Sequence, residues 1–213
     1  MNLEELTEEI HFCIASKELV KSTAMVSWIN QAIKRIFNKA ISERVPLNED
    51  KFSITFTTQE IIVDNSENRR NILRFLTAED STGFPVTIMT KKNSLRSNEP
   101  SIYWYRNNDN RGNSIVTMGL SIGAGGEAYT ISYIKRPTLF EIDSPNDIEI
   151  NEIPPEHHLT IVYMATVLIL TAHPPEGKAD KSDKWLGHFT DAFNDMIGTV
   201  GEEVDGVVDT DIN

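Results

Sequence analysis

The chain opens with two stretches whose apolar residues recur at helical spacing. Leu3, Leu6, Ile10 and Cys13 or Ile14 share one face of a helix predicted over about Asn2–Ser16. Glu4, Glu5, Glu8 and Glu9 fall in its N-terminal half, where the macrodipole favours anions. The pattern is clearest from Ser22 onward. Met25, Val26, Trp28, Ile29, Ala32, Ile33, Ile36, Phe37, Ala40 and Ile41 make a wide apolar face. Ser27, Asn30, Gln31, Lys34, Arg35, Asn38, Lys39, Ser42 and Glu43 fill the positions between, and Pro46 ends the helix.

From Lys51 to Arg136 the period changes to two. Phe52, Ile54 and Phe56 alternate with Ser53, Thr55 and Thr57. Ile61–Val63, Ile72–Leu76, Val86–Met89, Ile102–Tyr105, Ile115–Leu120 and Tyr129–Ile134 are further strands by their β-branched and aromatic content. Polar, turn-forming stretches separate them at 64–68, 80–83, 107–113 and 123–126. Such short, evenly spaced strands predict hairpins in a small antiparallel sheet or sandwich. Pro85 marks a strand start or an edge.

Residues 137–153 read as a linker. Pro154-Pro155 then opens a third helix, since proline is tolerated in a first turn. Leu159, Ile161, Val162, Tyr163, Met164, Ala165, Val167, Leu168, Ile169 and Leu170 make it apolar on nearly every side. Such a helix must be covered all round, which predicts burial between the other helices and a neighbouring subunit. His173-Pro174-Pro175 stops it. A fourth helix is predicted over about Lys178–Ile197, with Trp185, Leu186, Phe189, Ala192, Phe193, Met196 and Ile197 on one face. Gly198 and Gly201 are expected to release it into an acidic tail.

The expected class is therefore α+β. The N- and C-terminal helices (1–50 and 150–197) form a helical bundle around an inserted antiparallel β-rich hairpin or sandwich region (51–136). A linker (137–149) and an acidic C-terminal arm (198–213) complete the chain.

Charge changes this picture. The 213 residues carry 20 Lys+Arg and 32 Asp+Glu, a net −12. That total argues against a free-standing binder of the phosphate backbone, which needs Lys and Arg to release counterions. The acidity is also local. Residues 91–136 carry 7 basic and 3 acidic side chains, whereas residues 137–213 carry 3 and 16. One cysteine, Cys13, rules out an intramolecular disulfide. The acidic start, Met1-Asn2-Leu3-Glu4-Glu5, does not read as a secretory signal. The apolar run Leu159–Leu170 is too short to span a bilayer. A soluble chain made in a cytoplasm, with no membrane association, is expected.

Candidate chemistry is sparse. His157-His158 are adjacent, which is not a metal-ligand spacing, and they read as partly exposed polar residues at a helix start. His11, His173 and His188 add no ligand spacing. Gly123-Ala124-Gly125-Gly126 lacks the Lys-Ser/Thr of a phosphate loop and reads as a hairpin loop. Cys13, among apolar neighbours, reads as a buried thiol rather than a nucleophile. Paired carboxylates such as Glu202-Glu203 read as solvated charge. No catalytic residue, metal or cofactor is expected. The run Ser101-Ile102-Tyr103-Trp104-Tyr105-Arg106 admits three readings: a base-stacking platform, a strand with Tyr103 and Tyr105 opposite Ile102 and Trp104, or a protein contact.

The order of these pieces resembles the head-to-tail adaptor (connector, neck) proteins of tailed bacteriophages. The resemblance rests on Leu-x-x-Leu-x-x-x-Ile in the first helix and Trp28-Ile29-Asn30-Gln31-Ala32-Ile33 in the second. It continues with Tyr133-Ile134-Lys135-Arg136-Pro137-x-x-Phe140 after the β-rich part. Ile153-Pro154-Pro155-Glu156-His157-His158 then leads to Tyr163-Met164-Ala165, and Trp185, Phe189, Phe193 and Met196 follow in the last helix. The resemblance implies a structural virion protein in the neck at the portal vertex. It implies a homo-oligomeric ring, commonly of twelve subunits, that encloses double-stranded DNA without sequence-specific binding. Portal protein and tail or nozzle proteins are the implied partners. A C-terminal segment of such proteins often docks into the portal, which makes Val200, Val204, Val207, Val208 and Ile212 candidate portal-binding residues. Tyr103, Trp104, Tyr105, Tyr163 and Trp185 are candidates for a subunit or tail interface. Two alternatives stand beside it: another neck or tail-completion protein, and an intracellular enzyme or regulator with a site near His157 and His158.

Overall fold

A computed structural model describes residues 1–15, 20, 22–45, 47–57, 60–65, 70–91, 101–108, 114–121, 127–141, 150, 152–174 and 180–205. It has both helices and sheets, as an α+β chain requires. Contacts divide it into two compact units, residues 1–47 with 137–213 and residues 48–136.

In the first unit, α1 (Leu3–Ile14) starts on a capping box. The Asn2 side chain accepts from the Glu5 amide at 2.9 Å, and the Glu5 carboxylate accepts from the Asn2 amide at 2.9 Å. α2 (Ser22–Ser42) buries Met25, Ile29, Ala32, Ile33, Ile36, Phe37 and Ala40, the face its period requires. A 3₁₀ turn (Pro155–His157) leads into α3 (Leu159–Ala172). α4 (Asp180–Asp205) buries Phe189, Phe193 and Met196. These four helices contribute to one apolar core. Fully burying each such Leu, Ile or Phe contributes roughly 1.5–3 kcal/mol.

Two expectations for this unit are corrected. α4 does not end at Ile197 but runs through Gly198 and Gly201 to Asp205. A helix-interior glycine costs only about 1 kcal/mol, and Val200 still packs on the core beyond Gly198. The stretch read as a linker is not a plain spacer, because Phe140, Ile150 and Ile153 are buried in the core. As expected, the other helices cover most of α3. α1, α2 and α4 all pack on it, and its positions from 159 to 170 are buried except Leu159, Tyr163 and Val167.

Among the described residues, the second unit holds eight strands: β1 (Glu49–Thr55), β2 (Glu60–Asp64), β3 (Ile72–Glu79), β4 (Pro85–Val86), β5 (Ile88–Thr90), β6 (Ile102–Asn108), β7 (Ser114–Leu120) and β8 (Ala128–Lys135). They form two four-stranded sheets, ordered β1-β8-β3-β4 and β2-β7-β6-β5. One core takes residues from both, including Ile54, Ile72, Phe75 and Ile131 from the first and Val63, Ile102, Val116 and Met118 from the second. Pro85 lies on the edge strand β4, where a missing amide is harmless. The sheets are not wholly antiparallel: β5 pairs parallel to β6, with Ile88 opposite Ile102 and Thr90 opposite Trp104. A parallel neighbour needs a longer connection than a hairpin, and residues 91–101 supply it.

Candidate functional site

Tyr163 is fixed by α3, and Trp185 and His188 by the first turns of α4. Their three rings meet where the helices pack. The Tyr163 and Trp185 centroids lie 5.6 Å apart, Tyr163 and His188 5.7 Å, and Trp185 and His188 5.3 Å. Lys184 places its ammonium 5.8 Å from the Trp185 ring. Tyr163 and Trp185 are half-buried and His188 is exposed, so the cluster faces outward while resting on the core. His188 was not picked out in the sequence. Its contact with Tyr163 spans two helices, and only its place one turn from Trp185 points to it.

In the β unit, Tyr103 and Tyr105 share the outward face of β6, while Ile102 and Trp104 face the core. Trp104 meets the Phe75 ring edge-on at 5.4 Å, so the structure separates it from the two tyrosines it was grouped with. Both tyrosine hydroxyls donate to the Glu60 carboxylate, at 2.9 and 2.7 Å. Lys91 donates to it at 2.7 Å and sits 4.4 Å from the Tyr105 ring and 5.6 Å from the Tyr103 ring. Lys91 first, then the two hydroxyls, hold the Glu60 carboxyl down at about 2. Burial, with the hydrogen bond to Glu60, raises the Tyr103 phenol. The platform is thus an ionised carboxylate locked under two tyrosines, with a cation already over the rings. That arrangement disfavours base stacking, which needs an open aromatic face.

The histidine pair is buried rather than partly exposed. His157 is 6% exposed and His158 is 2% exposed. His158 Nε2 lies 3.0 Å from the Ile150 carbonyl and 2.8 Å from the Ile153 carbonyl. Carbonyls only accept, so Nε2 carries the proton, and Nδ1 is left to accept from the Met1 amino group at 2.5 Å. Both nitrogens are spent holding the chain to the core. His157 Nδ1 stands 3.8 Å from Asp195 Oδ2, across from α4. His158 therefore tethers segments, while the buried His157 Nε2 has no hydrogen-bond partner.

A second tether joins two motifs that the sequence singled out separately. The Asn30 amide on α2 donates to the Phe140 carbonyl at 2.8 Å and accepts from the Phe140 amide at 2.9 Å. It pins the chain just after its return from the β unit. Cys13 is half-buried, and burial raises its thiol, which suits an unreactive group. Of the proposed portal-binding residues, Val200 is half-buried against the core and Val204 lies within α4. Val207, Val208 and Ile212 lie outside the described residues, as does the 123–126 loop. Among the described residues, no group of three His, Cys, Asp or Glu side chains could hold a metal ion. No helix among them is long and apolar enough to cross a membrane.

The family described as SU10 adaptor protein matches residues 1–209. The chain belongs to the SU10 adaptor protein family. Comparison with curated proteins gives no match. As an SU10 adaptor family member, the chain is a phage structural adaptor-type protein, a component of the virion that works against other head or tail proteins. That family role is typically non-enzymatic. Within an SU10 adaptor, an outward aromatic cluster is what a protein-binding scaffold calls for.

Proposed function

We propose that this chain is a head-to-tail adaptor that forms a ring beneath the portal, extends the DNA channel and anchors tail or nozzle proteins in the neck. The observation that carries the reading is the family match over nearly the whole chain. Helices from both chain ends make a bundle that serves as the ring body, and the β unit is an inserted module for neighbouring proteins. Twelve copies would enclose double-stranded DNA without gripping it, because the chain is acidic overall and like charge keeps a duplex from adhering. Tyr103, Tyr105, Tyr163 and Trp185 are the outward aromatic residues offered to subunits or tail proteins. Since α4 keeps residues through Asp205 in helix, docking on the portal falls to Val207, Val208 and Ile212 beyond it.

The test mixes the purified chain with the portal protein of the same phage and reads complex formation by light scattering and electron microscopy. A defined complex is expected, weakened at least tenfold by deleting residues 206–213. No complex would contradict the adaptor reading. A complex that forms only with tail proteins would instead favour a tail-completion role. Full binding after the deletion would contradict the docking segment.

A further inference from the structure

The β unit gathers arginines around the turn that leads into β3. Asp64 accepts from the Arg70 amide at 2.9 Å, the Asn71 amide at 3.3 Å and the Ile72 amide at 3.0 Å, which holds residues 70–72 against the end of β2. The Arg106 guanidinium donates to the Ile72 carbonyl at 2.8 Å. The Arg136 amide donates to the Asn71 carbonyl at 2.7 Å. Two consecutive carbonyls thus hold Arg106 and Arg136 beside each other, and both residues are exposed. The Arg70 guanidinium, on the Val63 carbonyl at 2.6 Å, adds a third cation at the turn.

Burial first, and then the Arg136 charge, push the Arg106 guanidinium down. Asp64 offsets this in part, but both its oxygens already accept from backbone amides. Lys39, Lys91 and Lys135 each sit on a carboxylate of their own chain. Arg106 and Arg136 are exceptions, with no ion pair among the described residues. Two neighbouring guanidiniums with N–H groups to spare suit an oxyanion.

α1 carries the complementary pattern. It buries Leu3, Leu6, Ile10 and Ile14 and exposes Glu4, Glu5, Glu8 and Glu9. Glu5 is used by the capping box. Glu4 and Glu8 stand one turn apart, with roughly 5–6 Å between their Cβ atoms, and like charges at that spacing repel. Neither has an ion pair among the described residues. Chains of net −12 also repel one another, so copies that associate must set fixed cations against fixed acids. A DNA phosphate is the rival oxyanion, but duplex binding needs Lys and Arg spread along the backbone rather than one cluster in an acidic chain.

We propose that Arg106 and Arg136 form an anion site that takes the Glu4 and Glu8 carboxylates of α1 from a second copy of this chain. Site and occupant are different patches, so the contact is head-to-tail, and such contacts close into a ring when the rotation permits. The inference rests on the ring reading above and names a subunit contact for it.

The test measures self-association of the purified full chain by light scattering, alone and on the portal protein. Arg106→Glu with Arg136→Glu, and Glu4→Lys with Glu8→Lys, should each weaken it roughly tenfold or more. An equal mixture of the two double variants should recover it, since each then offers the charge the other lacks. A mixture as weak as its parts contradicts the pairing and leaves the ring reading standing. If circular dichroism shows that charge reversal unfolds either variant, Arg106→Gln with Arg136→Gln and Glu4→Gln with Glu8→Gln take their place. Each should still weaken association, and no change contradicts the contact. A wild-type chain that stays monomeric alone and gives no multimer on the portal sinks the ring reading and this contact with it. A short labelled DNA duplex is the second probe. Loss of duplex binding by the arginine variants, with association unchanged, would reassign the site to phosphates and overturn the proposal.

Discussion

The helical unit and the β unit place their ordered polar groups differently, each with respect to its own core. In residues 1–47 and 137–213, Asn30 and His158 work from within, each tying a returning segment to buried backbone groups. In residues 48–136 the ordered polar groups work from outside. Glu60 gathers Lys91, Tyr103 and Tyr105, and Asp50 gathers Lys135 at 2.8 Å and the Tyr133 hydroxyl at 3.0 Å. Burial, with its bond to Asp50, pushes the Tyr133 phenol up to about 12. The charges differ too: the helical unit carries 9 basic and 22 acidic side chains, the β unit 11 and 10. Burial and internal tethers let the helical unit tolerate a strongly repulsive surface, while the near-neutral β unit spends its charges in pairs.

The largest effects should come from the cores. Phe193→Ala in the helical unit and Phe56→Ala in the β unit each remove a fully buried ring and should cost about 3–5 kcal/mol. Urea unfolding followed by Trp185 and Trp104 fluorescence, in single-tryptophan backgrounds, reads which unit each change weakens. Equal shifts of both probes in both variants would erase the distinction between the units. Asn30→Ala leaves the Phe140 amide and carbonyl without their partner and should cost about 1–3 kcal/mol, read by the helical probe. A cost near zero would mean the tether is incidental.

The β unit should respond to acid through Glu60. Its folded value of about 2 lies below the ordinary 4.5, so the stability it contributes is full above about 4.5 and is lost as pH falls toward 2. Glu60 is 34% exposed, and solvent screening reduces the effect to about 1 kcal/mol. Glu60→Gln should therefore weaken the β unit at pH 7 and match wild type near pH 2, as followed by thermal melts across that range. A penalty independent of pH would contradict the ionic basis. The smallest effect goes the other way. A Cβ at Gly187 or Gly198 would meet nothing within 4 Å, so Gly→Ala at either should stabilise the helical unit by about 0.5–1 kcal/mol. Destabilisation at either position would show that backbone there is already in contact.

Much of this division was legible in local periodicity. The apolar positions of α2 from Met25 to Ile41 repeat so regularly that only a helix fits them. Tyr103 and Tyr105 fell on the outward face of a strand by simple alternation. What was not legible depends on distance along the chain. β1 pairs with β8, Phe52 opposite Ile131, and nothing near either residue announces the other. Ile72, Phe75 and Ala78 are buried at a spacing of three because two register shifts interrupt β3, and alternation alone misreads that stretch. The end of α4 was misplaced because glycine was read as a stop, whereas core packing by Met196 and Val200 carries the helix past Gly198. At the candidate site, Tyr163 and Trp185 were visible as residue types suited to contacts. The third ring, His188, and the single open stripe of α3 emerge only when the helices pack. The histidine pair misled for a related reason, since its partners are backbone carbonyls with no side-chain signature.

Cryo-electron microscopy of intact particles tests the adaptor reading most directly. The account predicts density for this chain as a closed ring at the head–tail junction. Density for the chain elsewhere in the particle, or none at all, would contradict it.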